Sequence, residues 1–252
     1  MSSSNTAREA PPNVAQPNAA APGLVERTLT RLFLRPARVI SATTLSARFR
    51  LIDLEGVTFE GNQWSPGQKV QIKLDGGFMT RTYTPMRWDA ARGVTRIVAF
   101  AHGEGPGSNW VCRTGRGDAL QVFGPRRSLD LAPPPVTSVV FGDETSFGLV
   151  ASLGLQGSAR AVFEVGAIAE SLQVLQALGI QPLALMERRT DDSHLAELQS
   201  AMLTPSDAST QYVLTGKASS IRQMGRALKA QGIEARRIKA KAYWAPGKSG
   251  LD

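Results

Sequence analysis

Short segments of alternating apolar and polar residues fill the first half of the chain from about Arg38 onward. A period of two is typical of β-strands that bury one face. Turn clusters such as Ser65-Pro66-Gly67 and Asp75-Gly76-Gly77 separate the segments. The predicted strands are Arg38–Ala42, Ala47–Leu54, Lys69–Leu74, Arg81–Arg87, Thr95–Ala101 and Asp118–Phe123. This spacing predicts an antiparallel six-stranded β-barrel, with one helix, Ser108–Arg113, before its last strand.

The second half of the chain alternates strand-like with helix-like segments. The predicted strands are Val136–Phe141, Ala161–Val165, Leu183–Met186, Gln211–Leu214 and Ile238–Trp244, and the predicted helices are Ser146–Leu155, Ser171–Leu178, His194–Leu203 and Ile221–Ala230. This alternation predicts an α/β domain with a parallel five-stranded sheet covered by helices on both faces. Ligands of such sheets bind at the carboxyl ends of the strands.

Two breaks in composition divide the chain. Residues 1–23 are mostly Ser, Ala, Asn and Pro with almost no large apolar side chain, which predicts a disordered tail. The run Ala132-Pro133-Pro134-Pro135 can continue neither a central strand nor a helix. We therefore expect a barrel domain at 24–131, a linker at 132–136 and an α/β domain at 137–252.

Composition narrows the class of protein. A hydrophobic fraction of 42% with 20% charged residues is ordinary for a globular protein. No run approaches the roughly 18 apolar residues of a membrane-spanning helix, and no secretory pattern is present, so we expect a cytoplasmic protein. The single cysteine, Cys112, excludes an internal disulfide and a four-cysteine iron–sulfur cluster, and we expect it to be a small packed residue. With only two histidines, no metal site is expected, so redox chemistry requires an organic cofactor.

The net charge of +8 favours anionic partners. The basic residues are scattered, without zinc-finger spacing or an aromatic RNA-binding motif, so nucleic acid is not expected. We expect a monomer that acts on small anionic molecules.

The first candidate motif is Arg81-Thr82-Tyr83-Thr84-Pro85, on a predicted barrel strand. Arginine can bind a phosphate with a planar fork, tyrosine offers a ring face, and threonine can reach a ring nitrogen. Such a run is also common in plain edge strands, and that alternative stays open.

A second motif is the glycine-rich turn from Gly103 to Trp110, which leads into the predicted helix with Ser108 as its N-cap. A helix N-terminus presents unpaired amides that suit a pyrophosphate. An ordinary glycine turn with a serine cap is the alternative. His102, just ahead, is expected to be structural.

The third motif, Gly142-Asp143-Glu144-Thr145-Ser146, ends the first strand of the α/β half and opens its first helix. It has one glycine and is not a GxGxxG fingerprint. Thr145 and Ser146 can donate to a phosphate there. The two acids oppose a phosphate, although acids in a first turn are also ordinary capping choices.

Together, these motifs resemble the siderophore-interacting protein family, a branch of the ferredoxin-reductase-like flavoproteins. The resemblance spans about Arg38 to Lys248. It is carried by Arg81–Thr84, His102 with Gly105–Trp110, Gly142–Thr145, and the closing Tyr243-Trp244 with Gly247. The turn Ser65-Pro66-Gly67-Gln68 is similar to a barrel turn of the wider reductases.

The resemblance implies FAD on the barrel, NADPH or NADH on the α/β domain, and an anionic ferric siderophore as substrate. Arg81 is expected at the pyrophosphate, Tyr83 against the isoalloxazine, Thr84 near its reactive edge and Ser108 at the phosphates. The full set of expected cofactor-binding residues is Arg81, Thr82, Tyr83, Thr84, His102, Gly107, Ser108, Trp110, Gly142, Asp143, Glu144, Thr145, Ser146 and Gly216. Arg188 and Arg189 are candidates for the extra phosphate of NADPH. No catalytic acid or base is expected, because the flavin carries the chemistry.

Three departures from the family pattern leave the acceptor and the choice of nicotinamide open: Pro85-Met86, Ser146-Phe147, and Gly216-Lys217 where the family often has glycine and glutamate. One alternative is a general NAD(P)H–flavin reductase that passes electrons to a protein partner. Another is a binder of siderophore or flavin without turnover.

The last predicted strand supplies the expected substrate-binding residues. A period of two sends Lys239, Lys241 and Tyr243 to one face and Ile238, Ala240, Ala242 and Trp244 to the other. The basic face is expected to receive the ferric siderophore. The alternative is a solvated edge strand whose lysines discourage aggregation.

Overall fold

The computed structural model describes residues 33–74, 79–131, 137–155, 158–204 and 209–248. The predicted tail at 1–23, the linker at 132–136 and the turn Asp75-Gly76-Gly77 lie outside the described residues. Both predicted sheets are present, and they belong to one unit, Phe33–Asp252. None of the helices in the described ranges combines the length and apolar character needed to cross a membrane.

An antiparallel sheet forms the first half. Its strands are β1 Arg35–Thr44, β2 Phe49–Glu55, β3 Lys69–Lys73, β4 Thr80–Tyr83, β5 Pro85–Asp89, β6 Val94–Phe100 and β7 Ala119–Arg126. Their order is β4-β3-β7-β1-β2-β6-β5. The two outer strands, β4 and β5, are separated in the chain by Thr84 alone, so the sheet must curl until its edges meet. Alternate residues such as Ile52, Leu54 and Ile97 point inward and are fully buried.

The sheet has seven strands where the sequence pattern predicts six. The predicted strand Arg81–Arg87 is two strands that meet at Thr84: β4 pairs with β3, whereas β5 pairs with β6. Pro85 cannot donate a ladder hydrogen bond, which favours a break in pairing at this point. A single alternating pattern cannot reveal that its two ends pair with different neighbours.

A five-stranded parallel sheet forms the second half, as the sequence predicts. Its strands are β8 Thr137–Gly142, β9 Ser158–Val165, β10 Ala184–Glu187, β11 Gln211–Lys217 and β12 Ile238–Trp244, in the order β10-β9-β8-β11-β12.

Helices cover both faces of this parallel sheet. Helix α1, Pro106–Arg113, belongs to the first half; the second half has α2 Phe147–Gly154, α3 Ile168–Ala177, α4 His194–Leu203 and α5 Ala218–Ala230. Helices α2 and α3 pack on one face against residues such as Val140 and Phe163. Helices α4 and α5 pack on the other face against Val139 and Phe141. Two short 3-10 helices, Glu144–Ser146 and Ala235–Arg237, precede α2 and β12.

The two halves are joined by packing and by hydrogen bonds. The Phe147 ring of α2 stacks on Phe49 of β2, with centroids 5.5 Å apart, and meets Phe163 of β9 edge-on at 4.9 Å. Glu170 of α3 accepts bonds from the Ser46 hydroxyl at 2.7 Å and from Arg48 Nε at 2.7 Å. These contacts fix the position of the cleft between the two sheets.

Candidate functional site

A cavity of about 300 Å³ lies where the predicted motifs converge. Its walls come from β4, the start of α1, the turn after β8 and the end of β12. Ten of the predicted site residues line it: Arg81, Thr82, Tyr83, Thr84, His102, Gly107, Ser108, Thr145, Lys241 and Tyr243. The fold therefore gathers residues that are up to 162 positions apart in the chain into one wall.

Arg81 lies directly over the first turn of α1. A Cβ atom placed on Gly107 would come within 2.8 Å of Arg81 Nε, so a glycine is required for this approach. Arg81 donates one hydrogen bond, at 3.0 Å, to the carbonyl oxygen of Thr80. The remaining guanidinium donors can serve a ligand, since arginine carries five N–H groups.

The start of α1 differs from the sequence prediction. The N-cap is Gly105, with no side-chain capping bond, and Pro106 occupies the first helical position. Proline is favoured there because its φ is already helical and its missing N–H is not needed. Ser108 therefore lies inside the first turn, where its hydroxyl donates to the His102 carbonyl at 2.8 Å. The prediction of Ser108 as the cap is wrong, but the helix N-terminus does open toward the cavity beside it.

Tyr83 contributes a rigid ring to the barrel wall. It packs at 5.5 Å against Trp110, which belongs to the barrel core and not to the cavity lining. Burial raises the pKa of the Tyr83 hydroxyl far above its ordinary value, although Arg81 opposes the change. The hydroxyl therefore stays protonated and can donate a hydrogen bond.

Asp143 organises the wall from the α/β half. Its carboxylate caps the 3-10 helix by accepting the Thr145 backbone N–H at 2.9 Å and the Thr145 hydroxyl, and it accepts the Trp244 indole N–H at 2.7 Å. The pKa of Asp143 is raised to about 6. Burial is the main cause, the hydrogen bonds from Thr145 oppose the change, and the charge of Glu144 adds to it. Asp143 thus holds both Thr145 and Trp244 at the cavity while staying out of it.

The end of β12 carries a β-bulge that changes which side chains reach the cavity. The pairing with β11 shifts between Gly216 and Lys217, so that Tyr243 is an extra residue in the ladder. Tyr243 and Trp244 consequently line the same cavity, whereas the period-two pattern places them on opposite faces. Burial raises the pKa of the Tyr243 hydroxyl to about 12; this hydroxyl lies 3.5 Å from Thr84 Oγ1.

Seven predicted site residues do not line the cavity: Trp110, Gly142, Asp143, Glu144, Ser146, Gly216 and Lys239. Ser146 is fully buried and its hydroxyl accepts a bond from Thr215 at 2.9 Å. Gly142 and Gly216 leave space for Ser146 and Asp143, with which a Cβ would collide. Gly142, Asp143, Ser146 and Gly216 therefore shape the turns behind the cavity wall.

Arg188 is held by carboxylates behind the same wall. Its guanidinium bonds Glu144 Oε2 at 3.0 Å, lies 3.9 Å from Glu164 Oε2, and stands over the Trp244 ring at 5.6 Å. Glu164 also accepts from His194 Nε2 at 2.8 Å, while His194 Nδ1 accepts the Arg189 backbone N–H at 3.2 Å. Because Nδ1 accepts a hydrogen bond, the imidazole donates to Glu164 through Nε2. Arg188, for its part, positions Glu144 and Trp244.

Several cavity residues were not predicted: Lys69, Thr80, Val98, Phe100, Gly105, Ser128, Gly148, Trp244 and Lys248. Gly148 had a sequence clue, a glycine inside a helix, and here α2 approaches the Thr84 carbonyl so closely that a Cβ would lie 3.0 Å from it. Lys69, Ser128 and Lys248 lie on segments that only the three-dimensional fold brings together.

The cavity is cationic. Arg81, Lys69, Lys241 and Lys248 line it, and no carboxylate does so among the described residues. An anionic ligand is favoured here because the protein walls screen these charges less than bulk water does.

Cys112 is exposed on α1, contrary to the expectation of a packed residue. Its neighbour Val111 takes the buried position instead. The short helix has one inward-facing stripe, and Cys112 lies outside it.

Comparison with known proteins gives a family match over part of the chain. Residues 62–129 match the model of the siderophore-interacting FAD-binding domain. The predicted family resemblance is confirmed. The matched siderophore-interacting FAD-binding segment contains Arg81–Thr84, the turn before α1, and α1 itself.

One curated relative is similar over most of the chain. The NADPH-dependent ferric-chelate reductase of Escherichia coli (strain K12) is 27% identical over 197 residues, which cover 75% of this chain and 72% of that protein.

Solved structures of siderophore-interacting proteins share the fold. The protein SipS from Aeromonas hydrophila matches with a TM-score of 0.69 at 18% identity, covering 86% of this chain and 94% of SipS. The siderophore-interacting protein from Acinetobacter baumannii matches with a TM-score of 0.65 at 16% identity, covering 86% and 92%. The ferredoxin reductase of carbazole 1,9a-dioxygenase also matches, with a TM-score of 0.68 at 15% identity, covering 83% and 68%. These likenesses establish the ferredoxin-reductase-like fold.

Proposed function

We propose that this chain is an FAD-dependent NADPH oxidoreductase that reduces ferric siderophores and so releases Fe(II). The observation that carries the proposal is a cationic cavity in which the barrel residues Arg81–Thr84, the start of α1 and the turn after β8 meet. The predicted enzyme class, an NAD(P)H-dependent flavin oxidoreductase, and its cofactors FAD and NADPH are confirmed by the comparisons.

The residues around Arg81 fit the pyrophosphate of FAD. The first-turn amides of α1 have no side-chain cap. Gly107 leaves room for Arg81, because a side chain at this position would collide with the guanidinium group. Arg81 and these amides would bind the phosphate oxygens, and Tyr83 would hold the isoalloxazine by its ring and its protonated hydroxyl. When bound, FAD supplies the conversion of a two-electron hydride donor into a source of single electrons.

Thr145 and Trp244 are the residues that we assign to the nicotinamide side. Thr145 lines the cavity at the carboxyl end of β8, where parallel sheets bind ligands. Trp244 lies beside it and is fixed by Asp143 from one side and by Arg188 from the other. The two side chains would exclude water and orient the nicotinamide ring.

Lys239, Lys241 and Tyr243 are the residues that we assign to the ferric siderophore. Tyr243 and Lys241 line the cavity, and Lys239 lies near the start of the same strand, β12, which is the edge strand of its sheet. The positive charge of Lys239 and Lys241 would steer an anionic chelate toward the cleft. Reduction weakens the chelate because hard oxygen ligands hold Fe(II) less strongly than Fe(III).

One spectroscopic experiment tests the function. The purified protein reconstituted with FAD should show flavin absorbance, which NADPH should bleach without oxygen and a ferric siderophore should restore, with Fe(II) captured by a ferrous-specific chelator. Recovery that requires an added protein acceptor would support the general flavin reductase instead. A yellow protein that NADPH does not bleach would indicate a binder without turnover.

Thr145→Ala provides the matched control for the assignment of Arg81 to FAD and of Thr145 to the nicotinamide. It should weaken NADPH binding and leave the flavin content unchanged, because Thr145 lies in the 3-10 helix after β8, whereas Arg81 lies on the barrel strand β4. Loss of flavin in this variant would contradict the assignment.

A further inference from the structure

The excess of positive charge is confined to one segment of the chain. Residues 211–248 contain nine Lys or Arg and one Asp or Glu, whereas the rest of the chain contains 20 of each kind. This segment therefore accounts for the whole formal net charge of +8. It forms β11, α5 and β12, and β12 is an edge strand of the parallel sheet.

Helix α5 carries part of this charge as a stripe along one flank. Its apolar face packs against the parallel sheet through residues such as Ile221 and Leu228. Arg222, Arg226 and Lys229 follow one another at spacings of four and three residues, which places them on one line along the helix. All three side chains are exposed.

The basic stripe of α5 faces the free edge of the sheet. Helix α4 lies over β9 and β10, whereas α5 lies over β11 and β12, so α5 has α4 on one flank and the sheet edge on the other. Ser220 lies on the flank opposite to the stripe and is fully buried. Arg222, Arg226 and Lys229 therefore lie on the flank away from α4.

Strand β12 extends the charged surface around this edge. Ile238 packs on the side of the sheet that α5 covers. Because side chains alternate along a strand, Lys239 and Lys241 lie on the other side. We give the name basic edge to the five side chains of Arg222, Arg226, Lys229, Lys239 and Lys241. Within the described ranges, no carboxylate forms an ion pair with any of them.

The surroundings of the basic edge are poor in exposed apolar side chains. Among the described residues, every large hydrophobic side chain that is exposed lies outside 211–248. Stable protein–protein interfaces have an apolar core rich in aromatic residues. The basic edge therefore favours a partner that is attracted by charge alone, which is a polyanion.

An anionic bilayer fits the basic edge better than a nucleic acid does. A duplex admits one helix or one ribbon into a groove, whereas these five cations lie on both sides of a sheet edge. A single strand is bound by exposed aromatic rings, and the basic edge contains none. Lipid headgroups diffuse laterally and gather under cations at any spacing, and clusters of about four to eight Lys or Arg bind anionic lipid.

We propose that the basic edge binds the surface of an anionic phospholipid bilayer and holds the protein there by charge, without insertion. Lys241 belongs both to the basic edge and to the wall of the cavity of the candidate site, so the bound protein carries that cavity close to the lipid headgroups. The proposal rests on the charge distribution and holds whether or not ferric siderophores are the substrate.

The test is sedimentation of the FAD-loaded full chain with vesicles of phosphatidylcholine alone and of phosphatidylcholine mixed with phosphatidylglycerol. The mixed vesicles should bind the protein, vesicles of phosphatidylcholine alone should not, and rising salt should release it. Equal binding to both kinds of vesicle, no binding to the mixed vesicles, or binding that salt does not weaken would overturn the proposal. Stronger binding to duplex DNA than to the mixed vesicles, at equal phosphate concentration, would also overturn it.

A triple variant locates the contact. Arg222→Gln, Arg226→Gln and Lys229→Gln together should weaken binding to the mixed vesicles on the order of a hundredfold, since each basic residue near the surface contributes roughly fivefold. The control lies on the antiparallel half, where Arg87→Gln, Arg92→Gln and Arg116→Gln remove three exposed arginines and the same net charge.

The control variant should bind the mixed vesicles nearly as well as the wild type, because salt screens exposed charges away from the contact. Flavin content and melting temperature are compared with the wild type in both variants. Equal loss of binding in the two variants would show that net charge alone attracts the protein to the bilayer, and the basic edge would be rejected as the contact. Unchanged binding of the first variant would reject it too.

Discussion

Asp143 offers a direct test of the electrostatics behind the candidate site. Its carboxylate is fully buried and its pKa is raised from 3.8 to about 6, chiefly by burial. The folded protein therefore keeps the proton to higher pH than the unfolded chain does. This contribution to stability is present in full below the unfolded value and is lost as pH rises through about 6. The difference between the two values corresponds to about 3 kcal/mol.

Asp143→Asn removes this titration while keeping the size of the side chain. An amide can accept the bond from Thr145 or the bond from Trp244, but not both, so part of the wall loosens at every pH. The free energy of unfolding of the wild type, measured relative to the variant, should therefore fall by roughly 2 to 3 kcal/mol between about pH 4 and about pH 7. Urea denaturation at matched flavin content and constant salt measures it.

Glu234→Gln is a control for which the pH dependence of stability has the opposite sign. The hydrogen bond from Arg236 lowers the pKa of Glu234, so this carboxylate stabilises the fold above its unfolded pKa and loses that effect as pH falls. If the free energy of unfolding of the wild type relative to Asp143→Asn is independent of pH, or rises with pH, burial does not make the charged form of Asp143 unfavourable and our inference is wrong.

Three further predictions concern the cavity and the contact between the two halves. Arg81→Ala should weaken FAD by about 1.5 to 3 kcal/mol in equilibrium dialysis, and Gly107→Ala should act in the same direction because its Cβ displaces Arg81; normal FAD affinity in both would reject the pyrophosphate assignment. Lys239→Ala combined with Lys241→Ala should slow reduction of an anionic ferric siderophore at low salt and barely affect a neutral chelate; equal slowing at every salt concentration would exclude steering. Glu170→Gln should lower the free energy of unfolding at neutral pH by about 1 kcal/mol. Burial raises the pKa of Glu170 but the bonds from Ser46 and Arg48 lower it overall, so the loss should vanish as pH falls below the ordinary range of glutamate; a loss independent of pH would contradict the ion pair.

The sequence was most informative where one physical rule decides the structure. The parallel sheet was predicted strand by strand because its buried strands are apolar runs separated by helical segments of sufficient length. The residues Arg81–Thr84 and Thr145 were chosen as cofactor-binding candidates because their motifs mark a barrel strand and a strand–helix turn. The family resemblance supplied the relation between those motifs, which the alternation of polarity does not contain.

Two of the predictions that failed depend on pairing between segments distant in the chain. The break at Thr84 follows from β4 and β5 having different partners, and the bulge at Tyr243 follows from the register with β11. Local sequence carries no record of either. The N-cap error is different, since Pro106 already marked the first helical residue and Ser108 was chosen for its side-chain chemistry alone.

The Phe49–Phe147–Phe163 contacts have a consequence for how ligands exchange. Because an aromatic column runs from the antiparallel sheet through α2 into the parallel sheet, separating the sheets would expose three large rings to water. We therefore expect the cleft to keep a constant width. Entry and departure of the proposed nicotinamide would then depend on rotation of single side chains at the edge of the cleft, and such rotations are faster than the hinge motions of enzymes that open and close around their substrates.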